Sequence, residues 1–183
     1  MRIYYDTEFI EDGHTIDLIS IGMVREDGRS YYAISEEFSR TNFCRHEWLV
    51  QNVAPSLPIT ITGPEWFNWD INHPDFADVK NRLTIAQEVE EFIVATPNPE
   101  LWAWYGAYDH VALCQLWGPM SAIHDRGIPM FTNDLKQEAN RLGNPWLPEQ
   151  EGGEHNALDD AIHNKVRGNF LETFRSPYDS LHK

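Results

Sequence analysis

Acidic side chains gather at three places in this chain where they could do chemistry together. The first is Tyr5-Asp6-Thr7-Glu8-Phe9, and the second is Tyr108-Asp109-His110. The third is His155-Asn156-Ala157-Leu158-Asp159-Asp160-Ala161. Residues two apart on a strand point the same way, so Asp6 and Glu8 would project from one face. Two carboxylates held side by side repel each other and are hard to keep ionised without a cation. A hard divalent ion such as Mg2+ meets that need, because it takes carboxylate oxygens together with substrate phosphate oxygens. Each place also has an ordinary explanation. Asp-x-Glu can be a solvated strand end, and Asp109 a helix N-cap. Asp159 and Asp160 can simply favour the positive end of a helix dipole, and His155 can be a loop histidine with no role.

The elements that must position these residues follow from hydrophobic patterning. Ile3, Tyr4, Tyr5 and Phe9 suit a strand, where branched and aromatic side chains pack well. Glu11-Asp12-Gly13 reads as a turn into a second strand around residues 16 to 24. Asp27-Gly28 between apolar runs signals a hairpin before a third strand near Tyr31 to Ser35. The opening is therefore an antiparallel meander. Residues 43 to 53 read as one short helix ended by Pro55 and Pro58. Residues 64 to 74, with Trp66, Phe67 and Trp69, read as an irregular loop. Thr84 and Gln87 have the form of a capping box, opening a helix to about Ala95. Leu101 to Tyr105 reads as a buried strand reached by a crossover, with another helix from Tyr108. An edge strand is expected between Gly127 and Phe131, a helix from Asp134 to Leu142, and a loop over 144 to 154. A last helix is expected from about His155 to Phe174, with Leu158, Ile162, Val166 and Phe170 as its apolar stripe. The sum is an α/β fold with a mixed sheet, an antiparallel meander and flanking helices. One domain covers residues 1–176, and residues 177–183 form a tail.

The chain of 183 residues is long enough for one well-cored domain. Its 42% apolar and 23% charged content is ordinary for a soluble globular protein. No apolar run approaches the roughly 18 residues of a membrane span, and the N-terminal stretch does not read as a signal peptide. Cys44 and Cys114 lie far apart and in no metal-binding spacing, which points to a reducing cytoplasm. A net charge of −15 argues against binding nucleic acid through a broad basic surface. It leaves open an enzyme that grips one strand end through metal ions, because bound cations invert the local field.

Taken in order, the three acidic places resemble the motifs of the DEDD exonucleases. The branch is the one with a His-x-x-x-x-Asp third motif, called DEDDh or ribonuclease T-like. Asp6-Thr7-Glu8-Phe9 resembles the first motif, Trp104-Tyr105-Gly106-Ala107-Tyr108-Asp109 the second, and His155 followed by Asp160-Ala161 the third. The resemblance extends over most of the chain and implies a ribonuclease H-like fold. A closer likeness lies in Tyr5 to Ile10, Leu101 to Trp104 and Gly106 to Leu113. These resemble the actinobacterial polyadenylate-specific exoribonucleases, known as exoribonuclease AS. That likeness implies hydrolysis of RNA from its 3′ end to nucleoside 5′-monophosphates, a preference for adenosine, and a homodimer. Residues 55 to 82 and 144 to 154 carry no motif that aligns with it.

The resemblance also implies a chemistry. Two Mg2+ ions roughly 4 Å apart, with Mn2+ able to substitute, would activate water and stabilise the leaving oxygen. Asp6 would bridge both ions, Glu8 and Asp160 would complete the site of the nucleophile, and Asp109 would hold the second ion. His155 would take the proton from the attacking water. Thr7, Glu8, Phe9 and His155 would face the terminal nucleotide, Phe9 by stacking. Helix geometry alone would pair His155 with Asp159, four positions on, whereas the family pattern selects Asp160. Gly152-Gly153 gives the preceding loop freedom to close over substrate, or is a plain linker. Three other readings remain. A proofreading-type deoxyribonuclease uses the same site. A silent RNA-end-binding module has no reason to keep mutually repelling acids. A calcium-binding protein would need an oxygen-rich loop that the chain lacks.

Overall fold

The computed structural model describes residues 1–174, the side chain of Met120 excepted. The boundary expected at 176 and the tail over 177–183 lie outside the described residues. β1 (Arg2–Glu11), β2 (Ile16–Arg25) and β3 (Ser30–Ser35) form the expected meander, each pair antiparallel. In place of one helix over 43 to 53 there are two, α1 (Arg40–Arg45) and α2 (Glu47–Asn52). His46 is extended between them and its Nδ1 accepts from the Leu49 N–H, so it caps the second as it ends the first.

The stretch expected as an irregular loop is largely a hairpin, β4 (Ile59–Gly63) against β5 (Trp66–Trp69). Its aromatics alternate: Phe67 is buried against Phe38 and Phe43, while Trp66 is exposed. After β6 (Val79–Lys80), α3 (Arg82–Val94) begins earlier than the Thr84 box suggests, because the Asn81 side chain accepts from the Thr84 N–H. β7 (Glu100–Ala103) runs parallel to β1 and leads into α4 (Ala107–Gln115). No strand forms over 127–131, where Pro129 lacks a ladder donor. The edge strand is instead β8 (Asn133–Asp134), followed by α5 (Leu135–Arg141) and α6 (Ala157–Glu172). The six-stranded sheet has the order β6-β3-β2-β1-β7-β8, mixed and flanked by helices in the ribonuclease H-like manner. No helix among the described residues is long and apolar enough to cross a membrane.

The two-residue period of β1 assigns its side chains to layers. Ile3 and Tyr5 face α3 and α4 with Val89, Leu113 and their neighbours. On the opposite face Tyr4 joins Leu135, Ala139, Ala161 and Leu171 of α5 and α6. Further along that same face Ile10 joins Phe43, Leu49 and Phe67 of α1, α2 and the hairpin. Asp6 and Glu8 fall between these two apolar clusters. The strand therefore carries its acids into a gap that hydrophobic packing leaves open.

The stripe expected on α6 does not face the core. Ile162 and Val166 are 43% and 44% exposed. The helix docks instead through Ala157, Ala161, Asn164, Gly168 and Leu171, a narrow row of mostly small residues. The reason is the closeness of the sheet. A Cβ at Gly22 would come within 2.1 Å of the Ala157 carbonyl oxygen, and one at Gly168 within 2.3 Å of the Tyr4 ring. Branched side chains cannot fit at these two close approaches, and Ile162 and Val166 turn outward while Leu171 stays buried beyond them.

Candidate active site

Three elements deliver the acids to one place. β1 supplies Asp6 opposite Gly22 and Glu8 opposite Ser20, and the ladder shifts register immediately after, between Glu8 and Phe9. β7 accompanies β1 only from Arg2 to Tyr4. Beyond Tyr4 the edge of β1 is open on that side, and α4 fills it. There Asp109 Oδ1 accepts from the Thr7 N–H at 2.9 Å and from the Thr7 hydroxyl at 2.7 Å. Asp109 thus satisfies an edge amide that a longer β7 would have taken. Thr7, expected to face substrate, is buried at 4%, and its N–H and hydroxyl are both directed to Asp109.

α6 supplies the fourth acid. Its N-cap is Asn156, whose side chain accepts from the N–H groups of Leu158 and Asp159, so the helix begins at Ala157 rather than at His155. That start turns Asp160 inward and leaves Asp159 exposed. Asp160 Oδ2 accepts from the His155 N–H at 2.9 Å, and Oδ1 accepts from the Gln150 side chain at 2.8 Å. Of the two adjacent acids it is therefore Asp160 that joins Glu8.

His155 sits in a left-handed backbone conformation, φ 65, outside the helix. Such a conformation is uncommon for a side-chain-bearing residue and persists only where surroundings fix it. Here Ser56 Oγ donates to the His155 carbonyl at 2.6 Å, and Trp48 meets the imidazole edge-on at 4.8 Å. Nδ1 lies 3.9 Å from Glu8 Oε1. The loop before it is pinned rather than free: Gln150 is tied to Asp160, Leu147 packs against the α5–α6 cluster, and a Cβ at Gly153 would strike the Asp159 side chain. Phe9 stacks on Tyr108 with ring centroids 6.0 Å apart and planes within 11°.

Burial dominates the electrostatics, and for Asp6 and Glu8 the neighbouring carboxylates add to it. Burial, followed by the charges of Asp160 and Asp109, pushes the Glu8 carboxyl up to about 8. Burial lifts Asp6 well above the usual range, aided by Asp109, Glu8 and Asp160 and opposed by Arg167. Asp109 rises to about 6 through burial, against the pull of its two Thr7 hydrogen bonds. Asp160 is raised by burial and opposed by Gln150 and the His155 N–H. Between about pH 4 and 8 the folded state therefore holds protons that the unfolded chain has released, so stability falls as pH rises. In EDTA the melting temperature is expected to drop from pH 5 to pH 8, and added Mg2+ or Mn2+ to restore it at the higher pH. A melting temperature that climbs over that range without metal would remove the burial argument.

The site contains residues that the sequence did not single out. Gln150 and Ser56 act on their partners through contacts far apart in the chain, and no local pattern marks either. Arg167 was equally hidden. It lies seven positions after Asp160 and so on the same helical face, the one available signal.

The sequence has clear relatives among known proteins. The model of the 3′-5′ exoribonuclease Rv2179c-like domain matches residues 1–168. Two relatives from Mycobacterium tuberculosis are 48% identical over 163 residues, covering 88% of this chain and 87% of each relative. They are 3′-5′ exoribonuclease Rv2179c of strain ATCC 25618 / H37Rv and 3′-5′ exoribonuclease MT2234.1 of strain CDC 1551 / Oshkosh.

Proposed function

Because the chain belongs to the family of the 3′-5′ exoribonuclease Rv2179c-like domain, we propose that it shortens RNA from the 3′ end. It releases nucleoside 5′-monophosphates and prefers adenosine tails. The observation that carries this reading is the convergence of Asp6, Glu8, Asp109, Asp160 and His155 around the middle of β1.

The donor set suits a hard divalent cation. Glu8, His155 and Asp160 each offer a ligand atom, all within 4.8 Å of one another. The carboxylates here are pushed toward protonation by burial and, at Asp6 and Glu8, by their neighbours' charges, a condition that a cation relieves. Bound Mg2+, two ions in this reading with Mn2+ able to substitute, supplies positive charge for the attacking water and the leaving oxygen. Asp6, Glu8, Asp109 and Asp160 are the residues that would hold it.

The remaining steps belong to the chain's own groups. His155 presents Nδ1 toward the carboxylates and takes the proton of the attacking water there. The water oxygen bonds to phosphorus, the P–O3′ bond breaks, and its electron pair leaves with O3′, which is then protonated. Thr7 keeps Asp109 oriented through its two hydrogen bonds. Phe9, backed by Tyr108, offers a ring to the terminal base, and stacking there favours affinity over discrimination. Adenosine preference and the homodimer rest on the resemblance to the polyadenylate-specific enzymes, the cytoplasmic setting on the widely separated Cys44 and Cys114, and a single exonuclease domain over residues 1–176 on the chain's length and pattern.

The test is initial rates on labelled A-tailed and U-tailed RNA and on matched DNA, with Mg2+ and with EDTA. Faster loss of A tails, stopped by EDTA, is expected. Equal A and U rates would leave a general exoribonuclease, and faster DNA cleavage would favour a proofreading-type deoxyribonuclease.

A further inference from the structure

Among the described residues Arg2, Arg25, Arg45, Lys80, Arg82, Arg126 and Arg141 pair with carboxylates. Lys136 and Arg167 form no ion pair among the described residues, yet they meet on one ring. Lys136 Nζ lies 5.9 Å and the Arg167 guanidinium 4.5 Å from the centre of Trp104. Arg167 lies two turns after Asp160 on α6 and so on the same face, and its charge acts on Asp6 and Asp160. Trp104 therefore stands one side chain away from the carboxylate cluster.

Tyr105 completes the group. It meets Trp104 edge-on at 5.3 Å, is 63% exposed, and has φ 56. A bulky aromatic in the left-handed region is a genuine outlier, and a glycine there would carry no such strain. The Tyr105 carbonyl accepts from the Ala107 N–H at 2.8 Å, closing the turn that starts α4 and delivers Asp109. The turn needs this backbone conformation; it does not need an exposed phenol. An outlier of this kind beside an active site is a reason to look for a task for its side chain.

We propose that Trp104, Tyr105 and Lys136 form a second nucleotide subsite that holds the RNA strand 5′ of the departing nucleotide, a base on Tyr105 and a phosphate on Lys136. The proposal rests on the exoribonuclease reading of the neighbouring carboxylates. Single-stranded RNA matches the chemistry. Exposed aromatics stack on any base, and a lysine beside them tracks the backbone. With a net charge of −15, most of the surface repels a polyanion, so a lysine that no carboxylate holds, its Nζ donating to the Asn144 side-chain oxygen at 3.0 Å, sets a direction for the strand. Arg167 lies over Trp104, and Lys136 would exchange its neutral Asn144 partner for a phosphate while Tyr105 takes a base.

The experiment uses fluorescence anisotropy with labelled octa-adenylate, Ca2+ replacing Mg2+ to slow cleavage, on the parent, Tyr105→Gly and Lys136→Gln. Tyr105→Gly should melt at or above the parental temperature, because glycine suits φ 56. Its dissociation constant for octa-adenylate should rise about tenfold, while that for AMP stays within about twofold. Lys136→Gln should reduce the slope of log affinity against log salt by about 0.7. Unchanged octa-adenylate binding by both variants, or an equal loss for AMP, would overturn the subsite. A parent that binds octa-adenylate but does not shorten it in Mg2+ would leave the subsite standing and sink the exonuclease reading. Shortening of octa-adenylate in Mg2+ by both variants with parental KM would do the reverse.

Discussion

Asp6→Asn is expected to lose turnover by several orders of magnitude while the fold survives. The side chains are nearly isosteric, and Asp6 lies in the gap between two apolar clusters, so packing is undisturbed. What changes is charge. Asp6 is the carboxylate on which Asp109, Glu8 and Asp160 all act, and in the proposed chemistry it is one of the residues that would hold the cation. Removing its charge relieves repulsion, so the metal-free variant should melt above the parent at pH 8. Added Mn2+ or Mg2+ should raise the parental melting temperature and raise that of Asp6→Asn much less. An active Asp6→Asn protein, or a parent fully active in EDTA, would end the two-metal proposal.

His155→Ala should cut cleavage roughly 100-fold or more, as expected when acid–base help is lost. The backbone contacts of residue 155, to Ser56 and to Asp160, do not use the imidazole and should persist. Product binding is therefore expected to stay within a few-fold, which separates a chemical role from a structural one. The adjacent acids give the companion result. Asp160→Asn should be severe, because Asp160 faces Glu8 and is held by Gln150 and the His155 N–H. Asp159→Asn should be mild, because that side chain is exposed. A reversal would place the start of α6 in a different register from the one observed.

The choice between Asp159 and Asp160 illustrates what a sequence can tell. Regular spacing from His155 favours Asp159, and it misleads because Asn156 caps a helix that starts only at Ala157. The face shared by Asp6 and Glu8 was legible, since strand alternation is local and Tyr4 and Ile10 continue it. The stripe of Leu158, Ile162, Val166 and Phe170 was read the wrong way round. Hydrophobicity alone does not reveal that the sheet stands too close for branched side chains. The informative residues were the small ones, Ala157, Ala161 and Gly168. The hairpin over 59–69 was missed because aromatics and turn residues lie so close together there. Thr7, Gln150 and Arg167 gain their tasks only from tertiary contacts.

The seam between α6 and β1 has a consequence for how the protein comes into being. It joins residues near position 4 to residues near position 168, so it is among the longest-range contacts in the chain. Loop closure of that span delays it relative to the local pairing of the meander. During synthesis, β1 and α4 emerge with Asp6, Glu8 and Asp109 well before the segment bearing His155 and Asp160 exists. On the proposed chemistry, a growing chain is inert toward the RNA crowded around it. Competence arrives in one step, when the small-residue face of α6 finds Gly22 and Tyr4.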